Sequence, residues 1–87
     1  MKIRFEFVKR DIAGETFLVP IGNGSAKFPG LFALTEVASF IWDQLPEVQT
    51  EDEIVDRLLN EYDVTREVAA ADTAEFVAKL RDMEIID

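Results

Sequence analysis

The chain has 87 residues and a formal net charge of −9 at pH 7, and it contains neither histidine nor cysteine. These counts exclude a disulfide framework, a cysteine-ligated zinc site, a thiolate nucleophile and a Ser-His-Asp triad. They also argue against a nucleic-acid partner, because phosphate binding relies on clustered Lys and Arg.

The acidic residues are concentrated in the C-terminal half of the chain. Residues 1–45 carry five basic and five acidic side chains, whereas residues 46–87 carry four basic and thirteen acidic ones. Charges interrupt the apolar residues at the N terminus, and no long apolar run follows, so we expect neither a signal peptide nor a membrane span. With 48% hydrophobic residues, the chain is expected to form one domain over residues 1–87, located in the cytoplasm.

The N-terminal third alternates between apolar and polar residues, which is typical of β-strands. Residues 3–7 predict a first strand and residues 17–21 a second, and the Gly-rich segment 22–24 predicts a tight turn. A third extended stretch, residues 26–34, is interrupted by Pro29. Proline has no N–H for a strand ladder, so we expect this third strand at the edge of an antiparallel meander.

Three helices are predicted after the strands, because the apolar period changes to 3.6 residues. Thr35, Thr50 and Thr65 are placed as their N-caps, and Pro46 ends the first of them. Thr50 and Glu53 have the spacing of a capping box. The elements together predict an α+β fold of winged-helix size, with a three-stranded antiparallel sheet followed by three helices.

Carboxylates are the candidate catalytic or metal-binding groups. Glu51, Asp52, Glu53 and Asp56 cluster at the start of the second helix. Acidic side chains favour the first turn of a helix, and the spacing of a calcium-binding EF-hand loop is missing. We therefore expect no catalytic residue, no metal site and no cofactor.

Surface geometry is the remaining functional candidate. An edge strand presents unpaired N–H and C=O groups, to which a peptide can add as a further strand. If the third strand is that edge, the third helix would form the floor of a groove beside it. Leu31, Phe32 and Ala33 would then provide backbone contacts, and apolar helix positions such as Phe76 would supply side-chain pockets. The alternative is that both rings belong to the core, because apolar residues at structural spacing are usually packed.

Four segments in order carry a family resemblance. Residues 34–42 (LTEVASFIW) resemble the signature L-N-x-T-A-x-x-I-W, and residues 50–58 resemble t-x-e-E-I-v-x-x-L. Residues 62–64 and 72–80 follow, the latter resembling D-V-x-x-F-L-x-x-L. These signatures are those of PqqD-like proteins, the RiPP recognition elements that bind leader peptides of ribosomally made, post-translationally modified peptides. The turn after the first helix is one of three departures from the pattern, and the chain resembles recognition proteins of other peptide pathways more than those of pyrroloquinoline quinone synthesis.

The resemblance implies a winged helix-turn-helix-like fold and a non-catalytic adaptor. Such an adaptor binds the leader as an added strand between the third strand and the third helix. It then presents the leader to a modifying enzyme, such as a radical SAM maturase or a leader peptidase. The implied peptide-binding residues are Lys27, Phe28, Leu31, Phe32 and Ala33 on the strand and Asp72, Thr73, Phe76, Val77, Leu80 and Arg81 on the helix.

The charges among these residues add one expectation about the ligand. On the strand side of the predicted groove, Lys27 is basic. On the helix side, Asp72 is acidic and Arg81 is basic, so that side carries both charges. An acidic leader is therefore expected to dock toward the sheet.

Other functions fit the same order of elements. A winged-helix DNA-binding domain is disfavoured by the acidic third helix, and a metal-dependent enzyme subunit would need paired carboxylates. A general protein-interaction domain also remains open. The chain is expected as a monomer or as a homodimer formed by strand exchange.

Overall fold

Three antiparallel strands form a single sheet in the order β1-β2-β3. The computed structural model describes all residues from Met1 to Asp87. The elements are β1 (Phe7–Ile12), β2 (Glu15–Pro20), α1 (Asn23–Lys27), β3 (Phe32–Leu34), α2 (Glu36–Gln44), a 3₁₀ turn (Leu45–Glu47), α3 (Glu51–Glu61) and α4 (Arg66–Asp82).

The α+β prediction is confirmed, and α2, α3 and α4 are the three predicted helices. Thr35, Thr50 and Thr65 each accept the backbone N–H of the residue three positions on, at 3.1 to 3.3 Å. Each of these caps satisfies a helix donor that would otherwise lack a partner and contributes about 1 kcal/mol. At the start of α3 the Thr50 hydroxyl also donates to the Glu53 carboxylate at 3.4 Å.

The first predicted strand is displaced along the chain. Side chains of residues 1–7 do alternate between half-buried and exposed, but the ladder with β2 begins only at Phe7. The preceding segment instead pairs with the chain's C-terminal end, through a bridge between Ile3 and Ile86. The alternation therefore predicted the buried face correctly. It could not predict the pairing partner, because that partner lies at the other end of the chain.

The predicted turn at residues 22–24 is the start of the short helix α1. The Asn23 side chain accepts the Glu6 N–H at 2.8 Å and donates to the Arg4 carbonyl at 3.2 Å. Gly24 packs against the Glu6 backbone so closely that a Cβ would collide with the carbonyl oxygen. These contacts with the N-terminal segment hold the chain in a helical turn here and shorten the third extended stretch.

Strand β3 lies at the edge of the sheet, as predicted, but it is only three residues long. Phe32 pairs with Leu18 and Leu34 pairs with Thr16 on β2. Pro29 and the residues around it are not part of the sheet, which agrees with the missing proline N–H.

The core lies between the sheet and the helices. Leu18 from β2, Ile41 and Trp42 from α2, and Ile85 and Ile86 from the C-terminal end are all buried. Helix α3 contributes three further buried side chains and α4 four. No helix of the structure is both long enough and apolar enough to span a bilayer.

Candidate functional site

An apolar cavity of about 430 Å³ opens between β3, α2 and α4. We call it the groove, and eleven of its fifteen lining residues are hydrophobic. Leu18, Ile41 and Ile85 are buried lining residues, so the base of the groove is part of the core. Apolar pockets with a few polar groups on their walls are the usual form of binding sites.

The first wall of the groove is β3, and all three of its residues line the cavity. Since β3 is the last strand of the sheet, its outer edge has no strand partner. The Phe32 ring packs against the rings of Phe28 and Phe7, with centroid distances of 5.6 Å and 6.1 Å. The wall is therefore a short strand edge supported from behind by an aromatic cluster.

The second wall is α4. Asp72, Phe76 and Lys79 are spaced by four and three residues and therefore share one face of the helix, and Met83, which caps its C-terminal end, continues that face. Phe76 is half-buried and packs against the core, whereas Asp72 and Lys79 are exposed at the rim.

The third wall is the first half of α2, which contributes none of the predicted peptide-binding residues. Thr35, Val37 and Ala38 line the groove in addition to the buried Ile41. One signal in the sequence could have indicated this wall. The helix cap Thr35 directly follows Leu34, the last residue of the edge strand, so α2 must begin beside the same edge.

Five of the eleven predicted peptide-binding residues line the groove. Phe32 and Ala33 do so from β3, and Asp72, Phe76 and Leu80 from α4. Sequence reasoning therefore placed residues from both of these elements on one cavity.

The other six predicted residues lie outside the groove. Thr73 and Val77 are fully buried on the core face of α4, and the Thr73 hydroxyl has no hydrogen-bond partner. Arg81 is turned away, donating to a Glu51 carboxylate oxygen at 3.3 Å and to the Asp87 carbonyl at 3.0 Å. The remaining three precede β3 and do not line the cavity: Lys27, Phe28 and Leu31.

Three of the four clustered carboxylates at the start of α3 have separate partners. Asp56 pairs with Arg66 at 2.6 Å, Glu51 pairs with Arg81, and Glu53 accepts from Thr50. No three acidic side chains of the chain come close enough together to hold a metal ion.

A second, more polar cleft lies on the other side of α2, beside the β1–β2 turn. Tyr62 lines it and packs edge-on against Phe40, with ring centroids 5.5 Å apart. Burial raises the pKa of Tyr62 above its ordinary value, and the nearby carboxylates of Glu36 and Glu61 raise it further. The surroundings of Tyr62 therefore favour its neutral form.

The fold and the groove define a small α+β domain with an open strand edge beside an apolar cavity. The chain matches the family described as coenzyme PQQ synthesis protein D (PqqD) over residues 15–86. The chain belongs to the PqqD family, and the predicted resemblance is confirmed.

A solved structure supports this assignment. The chain is similar to the structure described as TbiB1 in complex with the TbiA(beta) leader peptide. The two are 32% identical, with a TM-score of 0.71, and the match covers 100% of this chain and 95% of that chain. No curated protein matches the sequence.

Proposed function

We propose that this chain is a RiPP recognition element, which binds the leader segment of a ribosomal precursor peptide in the groove. The observation that carries the proposal is the unpaired edge of β3 beside an apolar cavity. The similarity to TbiB1, whose structure contains a leader peptide, supports it.

The leader adds to the sheet as a further strand along β3. A strand rises by about 3.3 Å per residue, so the three residues of β3 pair with a leader segment about 10 Å long. Such a short ladder supplies few hydrogen bonds. Alternate side chains of the leader point to opposite faces, and those that enter the groove therefore supply most of the affinity and fix the register.

Phe32, Ala33, Asp72, Phe76 and Leu80 contact the leader directly. The other six predicted residues do not line the groove, and they act at its entrance or from the core beneath it. Lys27, Phe28 and Leu31 extend the strand side beyond the cavity, Thr73 and Val77 support α4 from the core, and Arg81 fixes the end of α4.

The domain itself is non-catalytic in this proposal. The charged groups lining the groove are one aspartate, one glutamate and one lysine, with no imidazole or thiol beside them. A separate enzyme, such as a radical SAM maturase or a leader peptidase, modifies or cleaves the captured precursor in the cytoplasm.

DNA binding has no support in the charge distribution. Helix α4 carries four acidic and three basic residues. Each basic residue is paired with a carboxylate: Arg66 with Asp56, Lys79 with Glu75 and Arg81 with Glu51. Helix α4 thus has a net charge of −1, and its cations already lie beside carboxylates, which disfavours binding to a phosphate backbone.

Titration with a precursor peptide tests the proposal. We expect the fluorescently labelled leader from the precursor gene nearest this chain's gene to bind with micromolar or tighter affinity, measured by anisotropy. The core segment of the same precursor is the control and should not bind. Equal binding of both segments, or a flat titration with the leader, would contradict the proposal.

A further inference from the structure

The charges on the groove are unevenly compensated. Its three charged lining residues, Asp72, Glu75 and Lys79, all lie exposed on α4. The Lys79 ammonium contacts the Glu75 carboxylate at 3.3 Å, four residues apart on the helix, so these two charges offset each other. The Asp72 carboxylate takes part in no ion pair.

The surroundings offer no cation to Asp72. The positions three and four residues before and after it on α4 hold no basic side chain. The residues of β3 and α2 that line the groove are all uncharged. Arg81 was expected to share the helix side of the groove with Asp72. It instead donates to the Glu51 carboxylate and to the Asp87 carbonyl.

The groove therefore presents an apolar channel with one uncompensated negative charge at its rim. Lys27, the cation expected to attract an acidic leader, lies on α1 outside the cavity. An acidic peptide side chain near Asp72 would meet a like charge, whereas a basic one would complete an ion pair.

From this arrangement we infer that Asp72 determines specificity by selecting a lysine or arginine at one fixed position of the bound leader. The inference rests on the proposed function and names the chemistry that the groove prefers. Long basic side chains suit the site, because their aliphatic stems lie along apolar surface while the charged head reaches the carboxylate. The selected residue is one that projects toward α4 when the peptide pairs with β3.

A displayed library of random peptides, about twelve residues long and thus able to cross the groove as a strand, tests this inference. The full chain and its Asp72→Asn and Asp72→Lys variants are used for selection in parallel. Asp82→Asn is the matched control, because Asp82 is exposed on the same helix but does not line the groove. A Phe76→Ala variant reports whether selected peptides occupy the groove.

We expect the peptides selected by the unmodified chain and by Asp82→Asn to share apolar positions. At one fixed distance in sequence from those positions, Lys or Arg should be enriched. Asp72→Asn should lose that preference and Asp72→Lys should replace it with Asp or Glu. For one selected peptide and its version with the basic residue changed to glutamine, the unmodified chain should show a two- to fivefold difference in Kd, roughly the range of exposed ion pairs. The difference should vanish in Asp72→Asn.

Two contrary outcomes have different meanings. If peptides share apolar positions and lose binding to Phe76→Ala, but show no charge preference or one that Asp72→Asn leaves unchanged, the inference is wrong and the proposed function stands. If the unmodified chain enriches no peptide, or only peptides that bind Phe76→Ala equally well, the proposed function fails and the inference fails with it.

Discussion

Replacing Phe76 with alanine is expected to weaken leader binding by about thirtyfold or more. Phe76 is the large aromatic residue on the α4 wall, half-buried and in contact with the core. Aromatic side chains in the centre of a binding surface typically contribute about 2 kcal/mol or more, which corresponds to that change in Kd. Fluorescence anisotropy with the labelled leader measures the loss.

A matched substitution separates this effect from a general weakening of α4. Val68 is an exposed apolar residue on the same helix and does not line the groove. We expect Val68→Ala to bind as the unmodified chain does. Phe76→Leu should keep the fold and lose only part of the affinity, with folding checked by thermal unfolding. Full binding by a folded Phe76→Ala variant would show that the leader does not use this wall.

Proline scanning of the leader should abolish binding at alternate positions of the segment that pairs with β3. An added strand donates its N–H groups to the sheet edge at every second residue, and proline has no N–H to donate. Positions between them direct their N–H groups to solvent, so substitution there should have the smaller effect. Competition of each unlabelled variant against the labelled leader measures the pattern.

Alanine at the same positions is the control for lost side chains. A position that tolerates alanine but not proline uses its main chain, whereas one that tolerates neither places its side chain in the groove. Uniform tolerance of proline along the leader would contradict strand addition. Loss of binding at consecutive positions would instead indicate a leader bound as a helix.

The helices could be predicted closely because their signals are local. The 3.6-residue period fixes the apolar face, and Thr35, Thr50 and Thr65 each satisfy a backbone donor three residues away. The strands were harder, since a period of two identifies a face but not a partner. Ile3 lies on the predicted face but pairs with Ile86, at the opposite end of the chain.

The groove could be located from sequence only in part. The edge position of β3 was predicted correctly, although Pro29, on which that prediction was based, lies outside the strand. The spacing of Asp72 and Phe76 places them on one side of α4. Which side of that helix faces the core depends on how α4 packs against α2 and α3. Thr73 and Val77 are buried in the core, although the sequence-based prediction placed them, like Phe76, in contact with the peptide.

The central claim is that a leader peptide becomes a fourth strand along β3. NMR of the isotope-labelled chain with bound leader tests it most directly. We expect contacts between backbone protons of the peptide and those of Phe32–Leu34, slower amide exchange along β3, and side-chain contacts with Phe76. Peptide contacts along β1, the other edge of the sheet, or on the outer face of α3, with β3 unchanged, would contradict the account.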